Sequence, residues 1–355
     1  MQRIVIFGKG GIGKSTFATN VSASLAAAGN RVLHVGCDPK HDSTVALLDG
    51  RMIDAVVDTI TRLDGVRPED IVTRSHLGID CVEAGGPSAG VGCGGRGISR
   101  MIEIFQSANL VDAARYDVVI YDVLGDVVCG GFAAPLRKGV GEKVVIVASE
   151  ELMALYAANN IARAVVHYAP NGIALAGIVF NLKDPNADRE MLERFAGRIG
   201  ARVLGYVLRD PLVREAEFRR RTVVEHAPRS AIAQSYRGLA EIMLNVDLRE
   251  CPLPTPFDET AFYHLAQTRF IEPAGGFRVG APEPVAPPEP EADERAAQPI
   301  SLRIPESKRN DFLAEVAAGR RAVWLGLVSA PEAVRRLREA YPAHGGALRA
   351  EDFGS

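Results

Sequence analysis

At 355 residues the chain can form one large α/β domain with an appendage, or two domains. Its net charge of −3 argues against general nucleic-acid binding, which needs clustered positive charge to neutralise phosphates. No apolar run reaches the ~18 residues of a membrane span, and five scattered cysteines, an odd number, do not make a secreted disulfide framework. The first residues carry no basic leader or cleavage site, so a cytoplasmic address is expected, where cysteines serve metal or redox chemistry more often than disulfides.

In chain order, apolar β-branched runs predict strands at Arg3–Phe7, Arg31–Cys37, Val118–Asp122, Lys143–Ala148, Ala174–Asn181 and Ala201–Val207. Helical patterns fall between them, such as Ser15–Ala28, Leu152–Tyr168 and Asp188–Ile199. Near-continuous apolar strands separated by helices predict a doubly wound, mostly parallel α/β sheet covered on both faces. The texture changes near residue 275. GAPEPVAPPEPEADERAAQP, Gly280 to Pro299, is too rich in Pro, Glu and Ala to build a core and reads as a semi-rigid tether. The expected division is 1–275 for the main domain, 276–299 for the linker and 300–355 for a small helical extension. That extension holds helical patterns at Lys308–Ala318 and Pro331–Ala340 around the lone Trp324.

The chemistry starts at FGKGGIGKST, Phe7 to Thr16. Gly8 to Ser15 fits G-x-x-x-x-G-K-[ST] between a predicted strand and a predicted helix, the setting that a P-loop NTPase requires. Gly8, Gly10, Gly11 and Gly13 let backbone N–H groups close on the phosphates around Ile12, and the helix start that follows favours an anion. Lys14 is expected on the β/γ-phosphates, Ser15 on Mg²⁺, and Thr16 beside them. Asp38 in GCDPKHD and Asp122 in YDVLGD stand at the ends of later strands, as acids of a nucleotide site do. Lys9 is a second lysine in the loop, either a solvated side chain or a group with a charge to meet.

Two Gly-rich stretches, CVEAGGPSAGVGCGGRG (Cys81–Gly97) and YDVLGDVVCGGFAAPLR (Tyr121–Arg137), contain Cys93 and Cys129. A [4Fe–4S] cube takes four ligands, usually thiolates, and the chain has no C-x-x-C pair. Two cysteines in Gly-rich turns give half a site, and a twofold dimer would complete it with one cluster per two chains. Two unrelated buried thiols are the plainer alternative.

KGGIGKS resembles the deviant P-loop ATPases, in which the extra lysine, here Lys9, reaches across a dimer to the partner's nucleotide and acts like an arginine finger. DVLGDVVCGGFA resembles the switch II segment of the nitrogenase iron protein and of the L-subunits of dark-operative protochlorophyllide reductase; CVEAGGPSAGVGCGGRG resembles their other cluster segment. The likeness runs from residue 1 to about 245 and includes GCDPKHDST, ELMALYAANNI and RDPLVREAEFRRRTVVEHAP. It implies a homodimer that binds Mg-ATP and one [4Fe–4S] cluster on Cys93 and Cys129, leaving Cys37, Cys81 and Cys251 as structural thiols. It further implies Asp38 as the switch I aspartate with Lys40 beside the nucleotide, Asp122 as the Mg²⁺-associated acid, and Asp126 as the group that orients or deprotonates the attacking water. Asn181, after its strand, resembles the asparagine that contacts adenine, with Asp210 and Tyr236 at base-contact positions; strand-end capping is the alternative for Asn181 and Asp210. Arg96 matches the surface arginine that contacts the catalytic partner.

The likeness implies an oxidoreductase component that takes electrons from a ferredoxin or flavodoxin and passes them to nitrogenase-like catalytic subunits, with no nucleic acid or membrane involved. Within the group the residues are mixed. His41 and the GCGG after Val91 resemble the protochlorophyllide enzyme, Arg96 and LMALYAANNI the nitrogenase protein, and Leu208 replaces the usual proline. The mixture resembles the nitrogenase-like reductases, methylthio-alkane reductase foremost, with nitrogenase or protochlorophyllide/chlorophyllide reductase as alternatives. A non-redox positioning ATPase and a cluster carrier are the readings from other classes.

Overall fold

The first apolar run forms β1 (Gln2–Phe7) and breaks at Gly8, whose loop leads into α1 (Lys14–Ala27). There follow β2 (Val32–Cys37), α2 (Val56–Arg62), α3 (Pro68–Ile71), β3 (Thr73–Arg74), β4 (Asp80–Glu83) and α4 (Gly95–Ser107). Next come β5 (Val118–Val123), β6 (Lys143–Ala148), α5 (Leu152–Tyr168), β7 (Ala174–Leu182), α6 (Arg189–Arg198) and β8 (Val203–Leu208). Helices α7 (Pro211–Phe218), α8 (Val223–His226), α9 (Ala231–Asn245) and α10 (Glu259–Gln267) complete this part. The computed structural model describes residues 1–63, 66–86, 95–125, 133–271, 331, 333–335 and 337. Cys93, Cys129, Asp126, the side chain of Arg96, residues 276–299, Lys308–Ala318 and Trp324 lie outside these.

One eight-stranded sheet runs β3-β4-β2-β5-β1-β6-β7-β8, parallel throughout except for the β3–β4 pair. Strands β2, β5 and β6 are buried along their whole length, which is why they read as unbroken apolar runs without alternation. Each face of the sheet carries its own apolar core. Phe7, Val35, Tyr121, Phe180, Phe195 and Phe262 lie in one; Ile4, Ile6, Phe17, Ile120, Tyr236 and Met243 lie in the other. Buried polar groups lock helices to this frame. Asn20 of α1 accepts from the N–H groups of Val223 and Val224 and so caps α8, and Lys143 donates to the Met243 and Leu244 carbonyls that end α9.

β1 has β5 on one side and β6 on the other, so it is the point where the chain's winding direction reverses. The crevice at the carboxyl ends of such strands is where doubly wound sheets bind ligands. The expected strands form within a residue or two, but β7 runs on to Leu182, so Asn181 lies inside the strand and not after it. Strands β3 and β4 and helices α2 to α4 and α7 to α10 add to the elements named from the sequence. Short runs such as DCVE and VVEH have too few residues to show a period.

The chain divides into two units, Met1–Arg278 and Val279–Ser355. In the second, Pro331, residues 333–335 and Leu337 are helical, with Ala333, Val334 and Leu337 buried. Among the described residues no helix is long and apolar enough to cross a membrane.

Candidate functional site

The loop from Gly8 to Gly13 is fixed from beneath by the sheet. A Cβ on Gly8 would lie 2.2 Å from the Val147 carbonyl oxygen, and one on Gly13 would lie 2.5 Å from Asn181 Nδ2. Gly13 caps α1 in the left-handed region (φ 90°) and offers no side-chain bond, so the first N–H groups of the helix remain free for an anion. On the outer side nothing lies within 4 Å of a Cβ added at Gly10 or Gly11, which leaves room for phosphate oxygens. Lys14 is buried at the head of α1, and its Nζ stands 3.8 Å from Asp122 Oδ1. Ser15 and Thr16 follow in the first turn.

Asp122 is next to last in β5 and only 3% exposed. Its Oδ2 accepts from the Ser43 hydroxyl at 2.6 Å, while Oδ1 is buried without a hydrogen bond. An anionic oxygen left in this state beside the phosphate loop fits a hydrated Mg²⁺, which takes one or two carboxylates and completes its shell with phosphate and water. Asp38 follows β2, and its Oδ1 accepts from the Lys40 N–H at 2.9 Å in a tight turn. Burial raises the Asp38 carboxyl, against the pull of that N–H and of Lys14. The Lys40 side chain is exposed. Half-exposed Lys9 lies near Glu151, a carboxylate held below its ordinary range by Lys183 at 2.8 Å and, more weakly, by Lys9.

On the other flank of β1 the carboxyl ends of β7 and β8 enclose a cleft of about 590 Å³ with the phosphate loop and α7. Asn181, Asp210 and Tyr236 all line it. Asn181 spends its Nδ2 on the Ile12 carbonyl at 2.7 Å, so it braces the loop from within the strand. Asp210 caps α7 by accepting from the Leu212 N–H at 2.8 Å, the capping role weighed for it above, and still faces the cleft. Tyr236 is buried against Phe17, and burial pushes its hydroxyl well above its ordinary value.

Four residues of this neighbourhood escaped the sequence reading. Glu217 lines the cleft and accepts from Thr16 at 2.9 Å. Ser43 and His34 lie behind Asp122, with His34 Nε2 2.9 Å from Ser43 Oγ. Glu83, fully buried, accepts from the Thr44 N–H at 2.7 Å, and burial pushes its carboxyl up to about 8, with Asp122 adding to the rise. Glu83 fits only because its sheet neighbour is Gly36, where a Cβ would lie 1.9 Å from Oε2. The available signal was an acid ending an apolar run; the matching glycine is 47 positions earlier and becomes informative only through strand pairing.

Two segments leave this site toward the cysteines. Gly125, after β5, has its Cβ direction aimed at Gly10, with 4.0 Å from that point to the Gly10 nitrogen. Gly86, after β4, lies against Pro39 of the GCDPKHD turn, where an added Cβ would be 2.8 Å from the proline Cβ. Asp126 and Cys129 follow the first and Cys93 the second, outside the described residues. Among the described residues no group of three or more His, Cys, Asp or Glu is placed to hold a metal ion. Cys37 and Cys81 are buried thiols pushed upward by burial, poor thiolate donors, and Cys251 is half-buried.

Residues 2–271 match the family described as 4Fe-4S iron sulfur cluster binding proteins, NifH/frxC family. The chain belongs to that family. The match extends past the expected limit near 245 and takes in Cys251. The chain is 42% identical over 274 residues to a nitrogenase iron protein of Methanospirillum hungatei, covering 76% of this chain and 96% of that protein. It is 44% identical over 259 residues to nitrogenase iron protein 2 of Paenibacillus durus, covering 73% and 88%. Among solved structures, the septum site-determining protein MinD of Pyrococcus horikoshii superposes with a TM-score of 0.55 at 22% identity, over 68% of this chain and 95% of that one, a likeness of fold. As a NifH/frxC-family member the chain is an ATP-dependent electron-transfer component, using Mg-ATP and binding one [4Fe–4S] cluster per dimer. The family works as a homodimer with nitrogenase-like catalytic partners.

Proposed function

We propose that this chain uses ATP hydrolysis to gate electron delivery to a nitrogenase-like reductase that cleaves C–S bonds of small thioethers. The observation behind the gating is proximity: a Cβ added at Gly125 would lie 4.0 Å from the Gly10 nitrogen, and one added at Gly86 would lie 2.8 Å from the Pro39 Cβ. Each brings a segment that continues in sequence to a cysteine close to a segment read here as meeting the nucleotide.

In this reading the loop N–H groups and Lys14 hold the phosphates, with Ser15 and Asp122 toward Mg²⁺. Lys9 of each chain meets the partner's nucleotide and offsets charge on the departing phosphoryl group. Asp38 senses the γ-phosphate, Lys40 lies beside it, and Asp126 orients the attacking water. Asn181, Asp210 and Tyr236 hold the base. Cys93 and Cys129 from both chains would hold the cluster, which when bound stores and releases one low-potential electron. Arg96 meets the catalytic partner, and a ferredoxin or flavodoxin reloads the dimer in the cytoplasm. Residues 276–299 act as a tether for an appended helical module, 300–355.

The thioether assignment rests on the mixture of His41, the GCGG motif, Arg96 and Leu208. The identity to nitrogenase iron proteins favours a second reading, in which the partner reduces dinitrogen. Deleting the gene separates them. Loss of growth on a small thioether as sole sulfur source, with growth on dinitrogen unchanged, supports the first; the reverse pattern overturns it.

A further inference from the structure

We propose that His34 is a positioning residue for ATP hydrolysis, acting through Ser43 to hold Asp122 in the orientation that leaves one of its oxygens to the cation. The proposal rests on the reading of the phosphate loop and Asp122 as the Mg-ATP site.

Four buried side chains form one line. Ser22 Oγ, in the middle of α1, is 2.8 Å from His34 Nδ1; His34 Nε2 is 2.9 Å from Ser43 Oγ; Ser43 Oγ is 2.6 Å from Asp122 Oδ2. None of the four is more than 3% exposed, so water does not complete their bonds. The Ser43 hydroxyl donates its single proton to Asp122 Oδ2 at 2.6 Å. The remaining directions follow from proton counting. Ser43 Oγ then has only lone pairs left for His34, so Nε2 carries the ring proton. Nδ1 in turn has a lone pair and accepts the proton of Ser22. The chain of donation runs Ser22 to His34 to Ser43 to Asp122, and it requires a neutral imidazole. Burial supplies that, lowering His34 to about 4.

A histidine that merely filled space would need no such alignment: its neighbours on the flanking strands, Cys81 and Ile120, are apolar, and packing against them asks for no polar group. Replacing it with one would strand two buried hydroxyls. Ser43 would be free to turn from Asp122, and the carboxylate could then swing both oxygens toward Lys14. Ser43 also precedes Thr44, whose N–H is held by Glu83. His34 therefore ties the end of the Asp38–Thr44 turn to β2 through Ser43, on the same face of the sheet as Glu83.

The test uses the full chain with its cluster loaded and three variants: His34→Leu, His34→Gln and Ser22→Ala. Gln keeps a donor near the Nε2 position. The expected result is a fall in kcat for ATP hydrolysis of about 10-fold in His34→Leu, with a matching rise in the Mg²⁺ needed for half-activity and KM for ATP within about twofold. His34→Gln should recover most of that loss, and Ser22→Ala should cost about twofold to threefold. Independently of turnover, ¹⁵N-histidine spectra of the nucleotide-free chain at neutral pH should show a neutral His34 ring protonated on Nε2. A ring protonated on Nδ1, or on both nitrogens, overturns the relay even if His34→Leu fails to fold. Equal kcat in His34→Leu and the unaltered chain overturns the proposal alone; an unaltered chain that hydrolyses no ATP overturns the reading of the site with it.

Discussion

The two flanks of β1 solve different problems with the same strand-end geometry. On the β6–β7–β8 side the cleft residues are committed to the backbone: Asn181 to the Ile12 carbonyl, Asp210 to the Leu212 N–H. Their positions are set by the fold itself, the kind of preorganisation that the proposed contact with a base would use. On the β5–β2–β4 side three acids crowd the strand ends. Asp38 and Glu83 are raised by burial, and Asp122 keeps an oxygen with no hydrogen bond. A buried carboxylate oxygen with an unused acceptor site is a place that a cation can fill. That flank also continues through Gly86 and Gly125 into the two cysteine segments. One side of the sheet holds; the other responds.

The comparison can be broken most severely at its responding end. Cys93→Ala or Cys129→Ala should take iron from about four per dimer to near none, since a four-ligand site loses two thiolates at once. Retention of iron in either variant, measured on anaerobically purified protein, would remove the cluster from these residues. Lys9→Ala should lower kcat for ATP hydrolysis by roughly 10³-fold while leaving ATP affinity within about threefold, the pattern of a group that meets only the transferring phosphoryl. Equal losses in both would make Lys9 an ordinary binding residue.

Gly36→Ala sharpens the contrast by its stability cost. The added methyl would sit 1.9 Å from Glu83 Oε2, so the chain should lose about 2–3 kcal/mol in denaturant unfolding, or Glu83 must leave its place. Glu83 also gives the responding flank a pH dependence. Its carboxyl titrates at about 8 in the folded chain against an ordinary 4.5, so the fold binds this proton more tightly than the unfolded chain does. That contribution is complete below about 4.5 and is lost as pH rises through 8. The melting temperature should therefore fall between these limits, and Glu83→Gln should flatten the fall. The smallest effect belongs to the holding flank: Asp210→Ala loses a helix cap worth about 1 kcal/mol, and Asp210→Asn should restore it.

The sequence made the strands of the holding side and the phosphate loop legible because their signals are local. Buried parallel strands show as apolar runs, and the loop's glycines are contiguous. The responding side is built from pairs that only the sheet brings together. Glu83 depends on Gly36, Asp122 on Ser43, and Ser43 on His34, each partner on another strand or loop. Asn181 shows the same limit at smaller scale. Its place in the cleft was readable, but the extra strand residue that turns its amide onto Ile12 was not.

Coupling between the responding flank and the cluster is tested most directly by the cluster's midpoint potential, titrated with and without Mg-ATP. If ATP binds the two redox states with affinities differing tenfold, a one-electron potential moves by about 59 mV, and a shift at least that large is expected. An unchanged potential at saturating Mg-ATP would mean that the nucleotide and the iron do not communicate through Gly86 and Gly125.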